Sequence, residues 1–326
     1  MQPRLKSFLQ QTEWHNTDIH WFSADWSVRS YARLTKDDGQ SAILLKSPPD
    51  DSPDAMVGHM IGPWSKLNKH FKSIGLNVPE IIAEDLDSGF ILMDDFGDKT
   101  IARRGLDAYL QATDILITMR DHPDALSIDL PRYEDTHVYQ ALRFFPQYAL
   151  NPSLSGLSRQ SSHYQEDSPI KSGNDSLIDD WFAAWKDVEN ALPPCPRALT
   201  HIDYAPQNLM WVDGKIGIID FQAACDGPFV YDIVNLLEDI RIDVPDDIKQ
   251  SCKDHYCASL SPNDRDLFEI WYPVITAQFH ARVLGQIQYL AQEKGRDDLL
   301  KYYDPLMKRF EKEVEHIALK PIKDLL

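Results

Sequence analysis

The stretch from Thr200 to Phe221, THIDYAPQNLMWVDGKIGIIDF, limits what this chain can fold into more than any other. Asp213-Gly214 separates two apolar runs, LMWV and KIGI. An Asp-Gly pair between such runs favours a two-residue hairpin, because both central residues take positive φ readily. Pairing about that turn sets Val212 opposite Lys215, Trp211 opposite Ile216, Met210 opposite Gly217 and Leu209 opposite Ile218. Asn208 then faces Ile219 at the open end, and Asp220 comes next. Facing side chains on paired strands lie within roughly 5–8 Å, so the hairpin gathers Asn208 and Asp220. Asp203 stands just upstream, across a loop containing Pro206, and can fold back to the same place.

Two carboxylates and an amide oxygen at one point are hard oxygen donors. They suit Mg²⁺, which takes few protein ligands and completes its shell with water and phosphate oxygens. A carboxylate beside such a metal, but not bound to it, can accept a hydroxyl proton. Together these are the components of phosphoryl transfer. Asp and Asn also serve ordinary turn chemistry. The leading His201, the Asp-Gly hairpin and the closing Asp220-Phe221 make that an insufficient account of the whole pattern.

Composition narrows the partners. The 326 residues include 51 acidic and 33 basic side chains, a formal net charge of -18. Such a surface repels nucleic acid and anionic membrane at long range, so neither is an expected partner. Four cysteines make no disulfide framework, which points to a reducing compartment. Cys252 and Cys257, with His255 between them, match no zinc-ligand spacing. The opening MQPRLKSFLQQTEWH lacks the apolar core of a signal peptide, and no run approaches the ~20 apolar residues of a membrane span. The expected location is the cytoplasm; the oligomeric state is left open.

Residues 3–12 read as a short helix, and residues 19–34, 41–46, 78–83 and 89–94 as strands. Ser52-Pro53 opens a helical stretch that Gly62-Pro63 interrupts and that ends near Gly75. Residues 106–121, 176–190, 266–292 and 298–319 carry helical periodicity, and the polar, Ser-rich 151–175 reads as a loop. The expected fold is α+β. A β-rich N-terminal lobe occupies residues 1–96, and a helical C-terminal lobe, residues 97–326, holds the quoted motif.

HIDYAPQN fits the H-x-D-x-x-x-x-N pattern, and Asp220 in IIDF holds the metal-Asp position of kinases. The chain resembles the aminoglycoside phosphotransferase and choline kinase superfamily, which has a protein-kinase-like fold. DFQAACDGPFVYDIVNLLEDI (220–240), VLGQIQYL, GLNVPEI and ILMDDFGD resemble in particular the anomeric N-acetylmuramate/N-acetylglucosamine kinases. The resemblance implies an ATP- and Mg²⁺-dependent kinase acting on a small-molecule hydroxyl acceptor, a sugar or amino sugar. Asp203 would be the catalytic base, and Asn208 and Asp220 would bind Mg²⁺. His201 would brace the loop, and Asp232 would hydrogen-bond it from a helix start. Lys46, ending SAILLK, would pair with phosphate. Ser27 and Arg29 would offer donors from the covering hairpin, and the backbone of Met93, Asp94, Asp95 and Phe96 would meet the adenine edge. Gln222 stands where protein kinases have Gly.

Two departures stand out. Residues 53–74 contain no Glu to pair with Lys46, Asp54 being their only acid, and the covering hairpin SADWSVRSYAR has no Gly. They keep open a catalytically weak nucleotide-binding protein that acts by interaction. Asp226, Glu238, Asp239 and Asp243, with Arg241 the only basic residue between 216 and 248, favour a neutral or cationic acceptor. An aminoglycoside or amino alcohol is therefore the alternative acceptor.

Overall fold

The computed structural model describes residues 3–22, 29–52, 60–150 and 174–326. In chain order the elements are α1 (Pro3–Leu9), β1 (Asp18–Trp21), β2 (Ser30–Thr35), β3 (Ser41–Lys46), α2 (Ile61–Ser73), β4 (Ile81–Asp85), β5 (Phe90–Asp94) and α3 (Leu106–Asp121). Then follow α4 (His137–Gln140), α5 (Asn174–Ala191), β6 (Arg197–Thr200), β7 (Leu209–Val212), β8 (Lys215–Ile218), β9 (Cys225–Pro228) and α6 (Tyr231–Glu238). The chain ends with α7 (Asp246–Ala258), α8 (Pro262–Lys294), α9 (Tyr303–Glu313) and α10 (Lys320–Lys323). The fold class is the expected α+β, β-rich first and largely helical afterwards.

Packing divides the chain into two compact units, Met1–Asp129 with His201–Ala224, and Leu130–Thr200 with Cys225–Leu326. The hairpin segment thus clusters with the N-terminal part. This partition does not fall at residue 96, because residues 97–129 cluster in the first unit, where residues 99–101 bond to the hairpin.

The first unit is organised by an antiparallel sheet of order β1-β2-β3-β5-β4. Strand side chains alternate between faces. Ala32, Leu34, Ala42, Leu44, Phe90 and Leu92 bury themselves against Leu5, Phe8 and Leu9 of α1 and against Trp14. The residues between them, Tyr31, Arg33, Ile43 and Met93, therefore belong to the other face.

The hairpin forms in the expected register, Leu209 to Ile218, Met210 to Gly217, Trp211 to Ile216 and Val212 to Lys215. Its turn has positive φ at both residues, 48° at Asp213 and 83° at Gly214, which matches the strand twist. A lone two-stranded hairpin is marginal in water, and here both edges are occupied. The Ile101 and Trp211 amides donate to Leu209 O and Lys99 O at 2.9 and 2.7 Å. On the other edge Ile218 N donates to Asn77 O at 2.8 Å, and Asn77 Nδ2 donates to Ile216 O at 3.1 Å. The GLNVPEI segment thus docks the hairpin.

Helix α2 starts where an interruption was expected, with Gly62 and Pro63 in its first turn. Its opening amides are held from upstream: Asp50 Oδ1 accepts from Ile61 N at 2.8 Å and Asp50 Oδ2 from Gly62 N at 3.1 Å. Pro63 lacks an amide hydrogen that would need a partner there. The expected opening at Ser52-Pro53 runs into residues 53–59, outside the described residues. So does most of the 151–175 loop.

In the second unit β6 pairs antiparallel with β9. The 33-residue α8 is capped by the Ser261 hydroxyl and stops at Gly295, φ 67°. The expected helix 298–319 is broken into a 3₁₀ stretch at Asp297–Tyr302, α9, and a 3₁₀ turn at Ile317–Leu319. Pro305 is the reason at the N-terminal end: it fits the first turn of α9 but removes an amide from any helix continuing through it.

Asp50→Ala removes the acceptor for two α2 amides and should cost about 1 kcal/mol. Urea unfolding of both proteins reads this as a lower midpoint at unchanged slope.

Candidate active site

The loop after Thr200 is held by one imidazole. His201 is fully buried. Its Nδ1 accepts from Asp203 N at 3.2 Å, and its Nε2 lies 3.0 Å from Ile219 O. One protonation state satisfies both contacts: hydrogen on Nε2, lone pair on Nδ1. Burial, the largest influence, lowers the His201 pKa, opposed by the nearby carboxylates of Asp203 and Asp220. The neutral ring thus ties the loop to the strand end that delivers Asp220. Two non-glycine residues on this path have left-handed backbone, Ile202 at φ 77° and Asp220 at φ 64°. The second suits Asp, which tolerates that region; a β-branched residue such as Ile202 does not, so the loop stores strain there.

Asn208 joins Asp203 through its side chain and the residue before Asp220 through its backbone. Asn208 Nδ2 donates to Asp203 Oδ2 at 2.9 Å and to Asp203 O at 3.0 Å. Its backbone carbonyl accepts from Ile219 N at 3.1 Å, beside Asp220. Asp220 Oδ1 accepts from Gln222 Nε2 at 2.8 Å. Asn208 spends its amide hydrogens on Asp203 and keeps Oδ1 for another partner. Gln222 Oε1 is buried with no hydrogen-bond partner among the described residues. Asn208 Oδ1, the Asp220 carboxylate and that orphaned oxygen are hard donors of the kind Mg²⁺ takes. Among the described residues no group of three His, Cys, Asp or Glu forms a metal cluster. The expected set, two carboxylates and an amide, needs none.

Asn208 and Asp220 open onto a cavity of about 330 Å³, walled by Tyr31, Arg33, Ile43, Trp64, Met93 to Asp98, Met210 and Phe221 among others. Three of the wall residues are the alternates left over on the sheet, Tyr31, Arg33 and Ile43. Phe96, also on the wall, lies against Gly217, where any Cβ would run into its ring. Arg33 grips the cavity rim, donating to Asp95 Oδ2 at 2.6 Å and to Asp98 Oδ1 at 2.8 Å. Each partner reinforces the other: the two carboxylates raise the Arg33 pKa, Asp98 first. Arg33 holds the Asp98 pKa below the usual carboxylate range. The Tyr31 hydroxyl is pushed up to about 12, mainly by burial.

Helix α2 contributes aromatic rings where an acidic residue was looked for. Trp64 and Phe71 pack on Phe221 with centroids 5.1 and 5.2 Å away. Phe71 also reaches the His201 ring at 6.4 Å. Phe221, the residue after Asp220, is thereby fixed by packing.

Of the expected nucleotide-site residues, Met93, Asp94, Asp95 and Phe96 line the cavity and Ser27 lies outside the described residues. Arg29 is buried, and its Nη2 donates to Met60 O at 3.2 Å. Lys46 requires a correction. It pairs across the sheet with Ser30 and Phe90 and shares the parity of Ala42 and Leu44, on the face that packs against α1. The residue two places after Ile43 on the cavity face is Leu45, fully buried. Tyr31, Arg33, Trp64 and Asp98 were missed. The alternation of SYARLT against SAILLK carried the signal for the first two.

In the second unit Asp232 is buried in the first turn of α6. The acids taken to favour a cationic acceptor are largely neutralised within that unit. Asp239 pairs with Arg241, Glu238 with Lys249 and the Tyr272 hydroxyl, and Asp226 with Arg197. They do not tilt the acceptor toward positive charge.

The profile of the phosphotransferase enzyme family matches residues 18–268. The chain belongs to that family. This phosphotransferase is 26% identical over 327 residues to an N-acetylmuramate/N-acetylglucosamine kinase of Neisseria meningitidis, covering 95% of this chain and 88% of that protein. A protein of the same name from Pseudomonas aeruginosa is 26% identical over 291 residues, 84% of this chain and 77% of that one. Among solved structures, a choline/ethanolamine kinase family protein from Mesorhizobium loti superposes with a TM-score of 0.61 at 11% identity, over 98% of this chain and 96% of that chain. That likeness establishes the kinase-like fold alone. The phosphotransferase is an enzyme with a hydroxyl acceptor. Among its described residues no helix is long and apolar enough to cross a membrane.

Two outcomes follow for this site. Because the folded His201 pKa lies below its unfolded value of about 6.5, the unfolded chain binds the extra proton first. The contribution of the neutral ring is complete above that pH and is lost as pH falls from there toward the folded pKa. The melting temperature should drop more between about pH 7.5 and about pH 5.5 in the wild type than in His201→Gln. Separately, Gly217→Ala should displace Phe96, cost about 1–3 kcal/mol in stability and weaken nucleotide binding, both measurable by thermal shift with and without ATP.

Proposed function

We propose that the chain transfers the γ-phosphoryl group of ATP to a hydroxyl of an amino sugar, in the cytoplasm. The observation that carries this is a cavity lined by Asn208 and Asp220, with Asp203 hydrogen-bonded to Asn208. The acceptor class is supported by the names of the relatives, N-acetylmuramate/N-acetylglucosamine kinases that match this chain over most of its length. The internal pairing of the second unit's acids weakens the case for a polycationic acceptor. We further propose a lobe division at residue 96, with residues 1–96 as the nucleotide-binding lobe and residues 97–326 carrying the catalytic loop and the acceptor site.

In this reading Asp203 accepts the acceptor's hydroxyl proton, and the Asn208 amide aims its carboxylate by donating to Oδ2. Asn208 Oδ1 and the Asp220 carboxylate hold Mg²⁺, while Gln222 fixes one Asp220 oxygen. Mg²⁺ bound there would neutralise phosphate charge in the transition state. Met93 to Phe96 offer main-chain groups to the adenine edge, and Ile43, Met210 and Trp64 exclude water around it. His201 braces the loop. Catalysis is then positioning plus electrostatics, with no covalent enzyme intermediate.

The test is Mg²⁺-dependent ATP turnover across N-acetylglucosamine, N-acetylmuramate, an aminoglycoside and choline. Turnover is expected on the amino sugars. Asp203→Asn should lower kcat by about 10²–10⁴-fold with the KM for ATP nearly unchanged. Turnover on choline or the aminoglycoside alone would refute the acceptor assignment, and full activity in Asp203→Asn would refute the base.

A further inference from the structure

Phosphoryl transfer requires a cation facing the triphosphate from the sheet, and β3 does not supply one to the cavity. Ile43 lines the cavity, so the next side chain on that face is Leu45, whose cross-strand partner on β2 is Tyr31. A buried Leu cannot neutralise phosphate. Lys46 has the charge but the opposite parity, and a one-residue offset in a strand moves a side chain to the other face. The cavity face of β2 runs Arg33, Tyr31 and then, at the next same-parity position before the strand, Arg29. Arg33 is engaged at the rim with Asp95 and Asp98.

Arg29 is 4% exposed. It is held from two sides, by Met60 O just ahead of α2 and by the Tyr31 hydroxyl, to which it donates. Tyr31 lines the same cavity as Asp220 and feels its charge, so Arg29, bonded to the Tyr31 hydroxyl, adjoins that wall. A guanidinium stays protonated at any working pH and presents several donors in a plane, a good match for phosphate oxygens.

We propose that Arg29, braced by Tyr31, is the cation that meets the ATP phosphates, and that Lys46 has no part in nucleotide binding. The inference rests on the ATP-dependent reading above and assigns within it a residue just ahead of β2 to a task expected of β3. It also removes the significance of the missing acidic residue in α2. An acid there would serve to orient a β3 lysine, and Met60 O and Tyr31 orient Arg29 instead.

The experiment compares the affinities of Mg²⁺-ATP and of adenosine by isothermal titration calorimetry in the wild type, Arg29→Met, Arg29→Lys, Tyr31→Phe and Lys46→Met, with melting curves for each. Adenosine probes the cavity without phosphates, so the ratio of the two affinities isolates the phosphate contribution. Arg29→Met should reduce that ratio by at least about tenfold, the worth of a charge-assisted hydrogen bond, while leaving adenosine affinity in place. Arg29→Lys should recover part of it, Tyr31→Phe should lower it less, and Lys46→Met should leave it unchanged. A ratio lost in Lys46→Met, or kept in Arg29→Met, overturns the assignment without touching the proposed function. Should Arg29→Met not fold, Arg29→Lys and Lys46→Met still decide the matter. Absence of ATP binding by the wild type would instead strike at the functional reading itself.

Discussion

Everything at this site depends on the neutral His201 ring accepting from one residue and donating to another. Its Nδ1 takes the Asp203 amide and its Nε2 reaches Ile219 O, so a loop and a strand end separated in sequence share a single rigid plate. Without that plate, Asp203 and Asp220 would depend on a strained backbone alone. Aromatic packing sustains the ring from outside. Phe71 and Tyr204 lie against it, and the Tyr204 hydroxyl anchors to Ala112 O of α3 at 2.9 Å. The Asp203 and Asp220 side chains remain partly exposed while His201, Tyr204 and Phe221 beside them are buried.

The same division of labour runs through the first unit. One face of the five-stranded sheet is spent on α1, and the other is left for the cavity. The hairpin, too short to persist alone, has one edge closed by residues 99–101 and the other by Asn77. Phe96 over Gly217 then links the cavity rim to the hairpin by contact of ring on backbone. Position is transmitted by hydrogen-bonded edges and close packing rather than by ion pairs, of which the rim cluster around Arg33 is the principal one.

Much of this was legible in the sequence, for a definable reason. The Asp-Gly turn sets the register of β7 and β8 locally, so Asn208 and Asp220 could be paired from residue spacing. The helix 106–121 likewise carries its own boundaries. The failures share a different origin. Lys46 was placed by its position at a strand end, but its face is set by which side of the sheet α1 covers, a long-range fact. The interruption expected at Gly62-Pro63 is instead the first turn of α2, because its amides are held by Asp50, eleven residues before Ile61. The acidic run after Asp220 looked free because its partners, Arg197 and Lys249, are supplied by β6 and α7.

The left-handed backbone at Asp220 has a consequence for how this residue can be interrogated. Asp and Asn occupy such a conformation far more readily than side chains without a short polar group. An alanine at 220 would remove the carboxylate and strain the chain at once, confounding loss of charge with folding. The amide isostere alone separates charge from conformation, and the same preference narrows which residues this corner of the fold can ever accept.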